Sequence, residues 1–315
     1  MEAAGLTARP PAGNLKPMRR FIFAACVSAC VTMRAAAQEV PGRDLLDFPV
    51  GTLAEPPVLS AHMAGGYWNP AAAMLPRGVR GRASVAALEA AAEQAVSAQL
   101  IGVAAAIPGD LTAALTLAHA AVDGIRRTDS DPQSIGDVPY SATVVSAGVA
   151  RRASPYLTAG MAVRYRLGVS DGVRESVVGL DGGLVAEGLP FRDARVGVAS
   201  HLWRPGSRGS DRPTYSAAAD VRAAGSGPLR EVRGGYGYAY TARDAFEHVV
   251  FASAREGAFE GRAGAVHRVR HGAGQWRLRL GVGVHRGRYA VGVARDESGA
   301  GLAPTYHFTL STRIP

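Results

Sequence analysis

The chain has 315 residues, 47% hydrophobic and 19% charged, which allows one large barrel or two ordinary globular domains. Its formal charge is +9, but Lys16 is the only lysine and the arginines are scattered rather than gathered in a patch, so no nucleic-acid partner is expected. Both cysteines, Cys26 and Cys30, lie within the first thirty residues, leaving the rest of the chain without a disulfide framework, a thiolate metal site or a thiol nucleophile.

Residues 18–37 carry the three parts of a secretory signal peptide. Met18-Arg19-Arg20 is the basic start, and the run from Phe21 to Met33 is apolar. Ala35-Ala36-Ala37 supplies the small residues of a cleavage site after Ala37. The apolar run is thirteen residues, short of the roughly twenty that a spanning helix needs. Residues 1–17 read as an upstream extension. Val27-Ser28-Ala29-Cys30 also resembles a lipobox, in which Cys30 would carry the lipid.

Residues 38–82 do not alternate and are rich in proline, so they are expected to form an N-terminal plug or a periplasmic-side segment ahead of the main domain. Within them, Asn69-Pro70 followed by Ala71-Ala72-Ala73 reads as a short helix start. An Asn side chain caps orphan amides, and Pro fits the first turn.

Two apolar runs, 95–107 and 111–122, flank Pro108-Gly109-Asp110 and read as a hairpin, and from there the dominant pattern is period two. Leu157, Met161, Val163, Tyr165 and Leu167 share one phase, while Gly160, Arg164, Arg166 and Gly168 share the other. Trp276, Leu278, Leu280, Val282 and Val284 alternate with Arg277, Arg279, Gly281, Gly283 and His285. The predicted strands fall at 83–92 (which also reads as helix), 95–107, 111–122, 140–151, 156–170, 173–187, 194–204, 214–224, 230–241, 245–256, 258–270, 274–286, 288–297 and 303–314. Strands of ten to thirteen residues, chained as hairpins without helices, exceed the five or six usual in soluble sheets. No segment after the signal has eighteen consecutive apolar residues.

The expected fold is therefore all-β: a transmembrane antiparallel β-barrel of about 14 strands over residues 83–315, preceded by a plug-like segment with a short helix. Closure follows because hydrocarbon offers no partner for an open sheet edge. Tyr140, Tyr156, Tyr236, Tyr238, Tyr240, Tyr289 and Tyr306 are expected in aromatic girdles, and the glycines are expected to permit curvature.

With the apolar phase against lipid, Arg164, Arg166, Asp181, Glu187, Asp220, Arg222, Glu260, Arg262, Arg268, Arg277 and Arg279 are expected to face the lumen, since a charge at the lipid midplane costs about 2–4 kcal/mol. They would line a polar pore, hold an anionic head group, or pair across strands and fill the barrel. Ser200 and His201 are adjacent in a strand and point to opposite faces. His267 and His271 share a phase without a nearby carboxylate. No catalytic residue, metal site or cofactor is predicted.

Asn69-Pro70-Ala71, placed after a signal and before glycine-rich hairpins, resembles the outer-membrane fatty-acid transporter (FadL) superfamily, and the chain's proportions resemble its PorV/PorQ branch. The stretch from Val178 to Leu184 is similar to an Asp-x-Gly strand of those barrels. The resemblance implies a fourteen-stranded bacterial outer-membrane barrel with an N-terminal plug, acting in secretion or in transport of hydrophobic compounds. Its partners would be outer-membrane lipid and a hydrophobic or amphipathic ligand, or secreted proteins and a secretion channel. The chain departs from many such barrels in ending Arg313-Ile314-Pro315, with Phe308 as its last aromatic. The alternatives are a structural outer-membrane barrel with a filled lumen and a soluble periplasmic β-sandwich.

Overall fold

The computed structural model describes residues 40–315 apart from 62, 64, 91–94, 129–133, 204–211, 224–230, 243, 271 and 298–303. The predicted signal segment, including Cys26 and Cys30, and His271 lie outside the described residues. Sixteen strands follow in order: β1 (Gly81–Ala90), β2 (Val96–Ile107), β3 (Leu111–Val122), β4 (Arg126–Thr128), β5 (Ser134–Asp137), β6 (Tyr140–Arg152), β7 (Leu157–Ser170) and β8 (Val173–Leu189) form the first half. The second half is β9 (Ala194–Trp203), β10 (Thr214–Ala223), β11 (Glu231–Thr241), β12 (Ala245–Glu256), β13 (Phe259–Arg270), β14 (Ala273–Arg286), β15 (Tyr289–Asp296) and β16 (Thr305–Ile314).

Fourteen of these close into one antiparallel barrel in which each strand pairs with its sequence neighbours and β1 pairs with β16, Gly81 opposite Ile314. The short pair β4–β5 stands apart, inside the connection between β3 and β6. Closure removes every sheet edge and excludes the sandwich alternative. The stretch predicted at 83–92, which also fits a helix, is strand over its described residues, within β1 (Gly81–Ala90), which joins the two ends of the sheet.

The wall is inside out relative to a soluble protein. Val282, Trp276, Met161, Val250 and Ile101 are exposed on its outer face, while Arg164, Arg166, Asp181, Asp220 and Arg279 are buried on its inner face. Tyr156, Phe191, Phe259 and Tyr289 are exposed near one end, and Tyr238, Tyr240, Trp276 and Tyr306 near the other, as two aromatic belts would be. Tyr140 corrects the girdle expectation. It is half-buried, and its hydroxyl donates to Asp44 Oδ1 at 2.6 Å inside the barrel.

The barrel has two distinguishable mouths. At one, β1 begins and β16 ends; it is called the terminal mouth below. The other carries the three longest connections, 123–139, 204–213 and 297–304, and is called the loop mouth.

Residues 40–80 run through the lumen from one mouth to the other. At the loop mouth, Arg166 on β7 donates to the carbonyls of Val40 (3.0 Å) and Pro41 (2.7 Å). At the terminal mouth, the Arg80 amide donates to Ile314 O at 3.0 Å and the segment becomes β1. Between these points it forms three single turns of 3₁₀ helix, Asp44–Asp47, Pro57–Leu59 and Pro70–Ala73, the last starting where Asn69-Pro70 predicts.

Candidate functional site in the barrel lumen

The glycines of the inner wall have a use that the curvature expectation missed: they are seats for the threaded segment. A Cβ at Gly197 would lie 2.9 Å from Leu59 Cδ2, one at Gly237 2.9 Å from Pro56, and one at Gly281 2.8 Å from the Leu53 carbonyl oxygen. Gly160 and Gly183 face Pro70 and the Asn69 side chain in the same way. A side chain at these places would push the segment off the wall.

Asn69 is fully buried and joins three parts of the molecule. Its Oδ1 accepts from the Ala71 amide at 3.0 Å and caps the 3₁₀ turn. Its Nδ2 faces the carbonyls of Val58 (3.0 Å), Leu184 on β8 (3.2 Å) and Val198 on β9 (3.5 Å). One amide side chain therefore ties the turn, an earlier bend of the segment, and the wall. Pro70 and Ala71 fill the groove left by Gly160.

The segment is held differently on the two sides. Leu45, Leu46, Val50, Met63 and Tyr67 pack with Ala86 and Leu88 of β1, Leu100 of β2, Ala120 of β3 and Val144 of β6 in one apolar cluster. Leu202 of β9 joins it through a bulge: between the pairs Leu180–Trp203 and Gly182–Ser200, β9 carries one extra residue. Leu202 sits there at φ +56°, its amide donating to Asp181 Oδ1 at 2.9 Å.

Most of the charged residues singled out in the sequence form a lattice on the remaining inner wall. Arg164 pairs with Asp181 (2.6 Å), donates to the Tyr67 carbonyl (2.6 Å) and lies 4.5 Å over the Tyr67 ring. His201 approaches the same Asp181 at 3.4 Å. Arg277 pairs with Glu247 (2.7 Å) and Arg279 with Asp296 (2.7 Å). Arg268 binds Asp47 of the segment, which Arg43 also holds at 3.0 Å.

Nearer the terminal mouth, Asp220 receives Arg195 and Arg233, each at 2.6 Å. Glu260 receives Arg262 at 2.6 Å and His285 at 2.9 Å. Arg222 and Glu187 are the most exposed of the set. Arg222 pairs with Asp193 at 3.2 Å, and Glu187 lines a cavity at this mouth.

Sequence reading missed Glu55. It sits in the threaded segment, 3% exposed, with Oε2 2.9 Å from Arg262 Nη1 and 3.2 Å from Arg195 Nη2. Nothing in its local sequence marks it, because its partners are 140 and more residues away. The residues before it, Leu53 (φ +48°) and Ala54 (φ +71°), are both buried in the left-handed region, which costs roughly 1–2 kcal/mol for each non-glycine residue.

Two cavities flank this point. The first, about 100 Å³, lies toward the loop mouth. Its surface is mostly apolar, with Leu46, Pro56, Pro57, Val58, Trp68, Leu202 and Val249 in its lining, which also includes Arg43, Asp47, Arg164, His201, Glu247 and Arg268. The second, about 270 Å³, lies at the terminal mouth and is polar, lined by Glu187, Asp193, Arg195, Glu231, Arg233, Arg255, Glu260 and Arg262. Pro56, Pro57 and Val58 line the first, and Glu55 just before them is held by Arg195 and Arg262 of the second.

Neither a family model nor a curated protein sequence matches this chain. Solved structures do. The toluene transporter TodX of Pseudomonas putida superposes with a TM-score of 0.57 at 10% identity, over 89% of this chain and 99% of that one. The toluene transporter TbuX of Ralstonia pickettii gives 0.56 at 13% identity, over 84% and 99%. A FadL homologue of Pseudomonas aeruginosa gives 0.53 at 11% identity, over 89% and 98%. At such identities the likeness is one of fold.

Proposed function

We propose that this chain is a bacterial outer-membrane barrel that passes small hydrophobic compounds through its lumen. The observation that carries this reading is the pairing of an inverted surface with an apolar lumenal cavity. The outer face suits hydrocarbon, and the 100 Å³ chamber is comparable to the roughly 150 Å³ apolar cavity that accepts one benzene ring. The matched folds support it, since two belong to toluene transporters and one to a FadL homologue.

In this reading residues 18–37 direct export and are removed, the terminal mouth faces the periplasm, and the longer connections face outward. A compound enters at the loop mouth, rests against Trp68, Val58, Leu202 and Val249, and leaves once the threaded segment yields. The charged residues from Arg164 to Arg279 hold the segment and the wall in register.

The test is uptake of a radiolabelled single-ring hydrocarbon by cells carrying or lacking the protein, with Val249→Arg to fill the chamber. Faster uptake with the intact chain and loss in the variant, at equal amounts of heat-modifiable barrel, is the expected result. Equal uptake in all three strains would overturn the reading. A second reading, PorV-like docking of secreted proteins or a secretion channel, is favoured by the segment's filling of the lumen. It predicts co-purification of an exported protein and no uptake.

A further inference from the structure

We propose that Leu53, Ala54 and Glu55 form a loaded latch, in which the Glu55 carboxylate, clamped by Arg195 and Arg262, holds a strained corner of the threaded segment closed between the two cavities. This rests on the transport reading for its purpose but not for its physics.

Three observations converge on these residues. First, position: Pro56, Pro57 and Val58 wall the apolar chamber, and the arginines that hold Glu55 wall the polar one, so moving residues 53–58 joins the two. Second, stored strain: two consecutive non-glycine residues sit at φ +48° and +71°, a conformation that relaxes as soon as nothing enforces it. The wall makes room for this corner at Gly281 and Gly264, where a Cβ would lie 2.8 Å from the Leu53 oxygen and 3.1 Å from the Ala54 oxygen.

Third, the clamp is releasable. When Glu55 leaves, Arg195 still has Asp220 at 2.6 Å and Arg262 still has Glu260 at 2.6 Å, so neither guanidinium is stranded without an anion. The two arginines that the carboxylate would leave, Arg195 and Arg262, line the polar cavity. A purely structural ion pair gains nothing from such redundancy. Glu55 is thus a positioning residue for the passage, and the strain at Leu53 and Ala54 supplies the bias toward opening.

The experiment is single-channel recording of the purified full chain in planar bilayers. The intact protein is expected to be closed most of the time. Glu55→Gln is expected to raise open occupancy about tenfold, as a shift of one pair's worth of free energy would. Adding Ala54→Gly, which removes one methyl and relieves the left-handed strain, is expected to return the Glu55→Gln barrel toward closure.

Arg262→Gln leaves Glu55 with Arg195 and gives an intermediate effect, which keeps the test intact should Glu55→Gln fail to yield a barrel. A Glu55→Gln barrel as closed as the intact one, or one whose opening ignores Ala54→Gly, overturns the latch. Conductance needs no ligand, so a gated barrel that takes up no hydrocarbon sinks the transport reading alone, whereas uptake through an ungated barrel sinks the latch alone.

Discussion

On the β1–β6 side of the lumen, Leu88, Leu100 and Val144 meet Leu45, Leu46, Val50 and Met63 in a cluster like that of a soluble core. On the β9–β14 side a smaller apolar cluster, Val58 and Leu59 against Ala199, Ala218, Val249, Phe251 and Val266, is flanked by charge: Glu55 lies between Arg195 and Arg262, and Arg268 of the wall holds Asp47. Apolar packing is lost steeply with any gap, so the first side anchors. Ion pairs with spare partners can break and reform, so movement is easiest at the charged contacts of the second side. Both cavities that border the latch lie on that second side. The difference teaches that a barrel can hold one strand of chain firmly and still keep part of it ready to move.

The sharpest way to break this comparison is to weaken the anchor. Leu100 is 1% exposed within the apolar cluster, and Leu100→Ala is expected to cost about 2–5 kcal/mol from the lost burial and the cavity left behind. Urea unfolding in lipid vesicles measures it. If the loss proves no larger than that of Arg268→Gln, the two sides are equivalent and the anchor idea fails.

Next in size is Asn69, which belongs to neither side but fastens the segment to β8 and β9. Asn69→Ala leaves the Ala71 amide and the Val58 and Leu184 carbonyls without this partner in a dry site. The expected cost is about 1–3 kcal/mol, with faster protease cleavage within residues 40–80. Unchanged cleavage would mean that the glycine seats, not the amide, hold the segment.

The wall was legible in the sequence because alternation is local. Thirteen of the fourteen strands could be placed from their own residues, β12 even at its end points, Ala245–Glu256, whereas the stretch at 83–92 fitted a helix as well until its pairing with β16 decided it. Asn69-Pro70 was legible as a capped turn for the same reason. What the turn touches was not legible, since its acceptors on Leu184 and Val198 are more than a hundred residues away. Glu55 was invisible on the same ground, and so was the role of Gly160, Gly183 and Gly197: a glycine seat exists only when another part of the chain fills it. Tyr140 was misplaced although its strand was predicted to start there, because it shares the inward phase of Ala142, Val144 and Ser146 and its hydroxyl meets Asp44 inside the barrel.

The smallest expected effect sharpens the comparison within the charged side itself. Arg222 and Arg233 share two carboxylates, Asp193 and Glu231, near the terminal mouth. Only Arg233 also reaches the buried Asp220, and it is 12% exposed where Arg222 is 47%. Water and salt screen the outer residue, so Arg222→Ala is expected to change stability by about 0–1 kcal/mol, and less in 1 M NaCl (about 3 Å screening length). Arg233→Ala removes one of two cations from Asp220, whose side chain is fully buried, so its larger effect should be the less sensitive to salt. Unfolding midpoints of the two variants at low and high salt decide the matter. Equal, salt-sensitive losses would mean that the lattice around Asp220 is solvated, and the clamp on Glu55 beside it would then have no dry interior in which to hold.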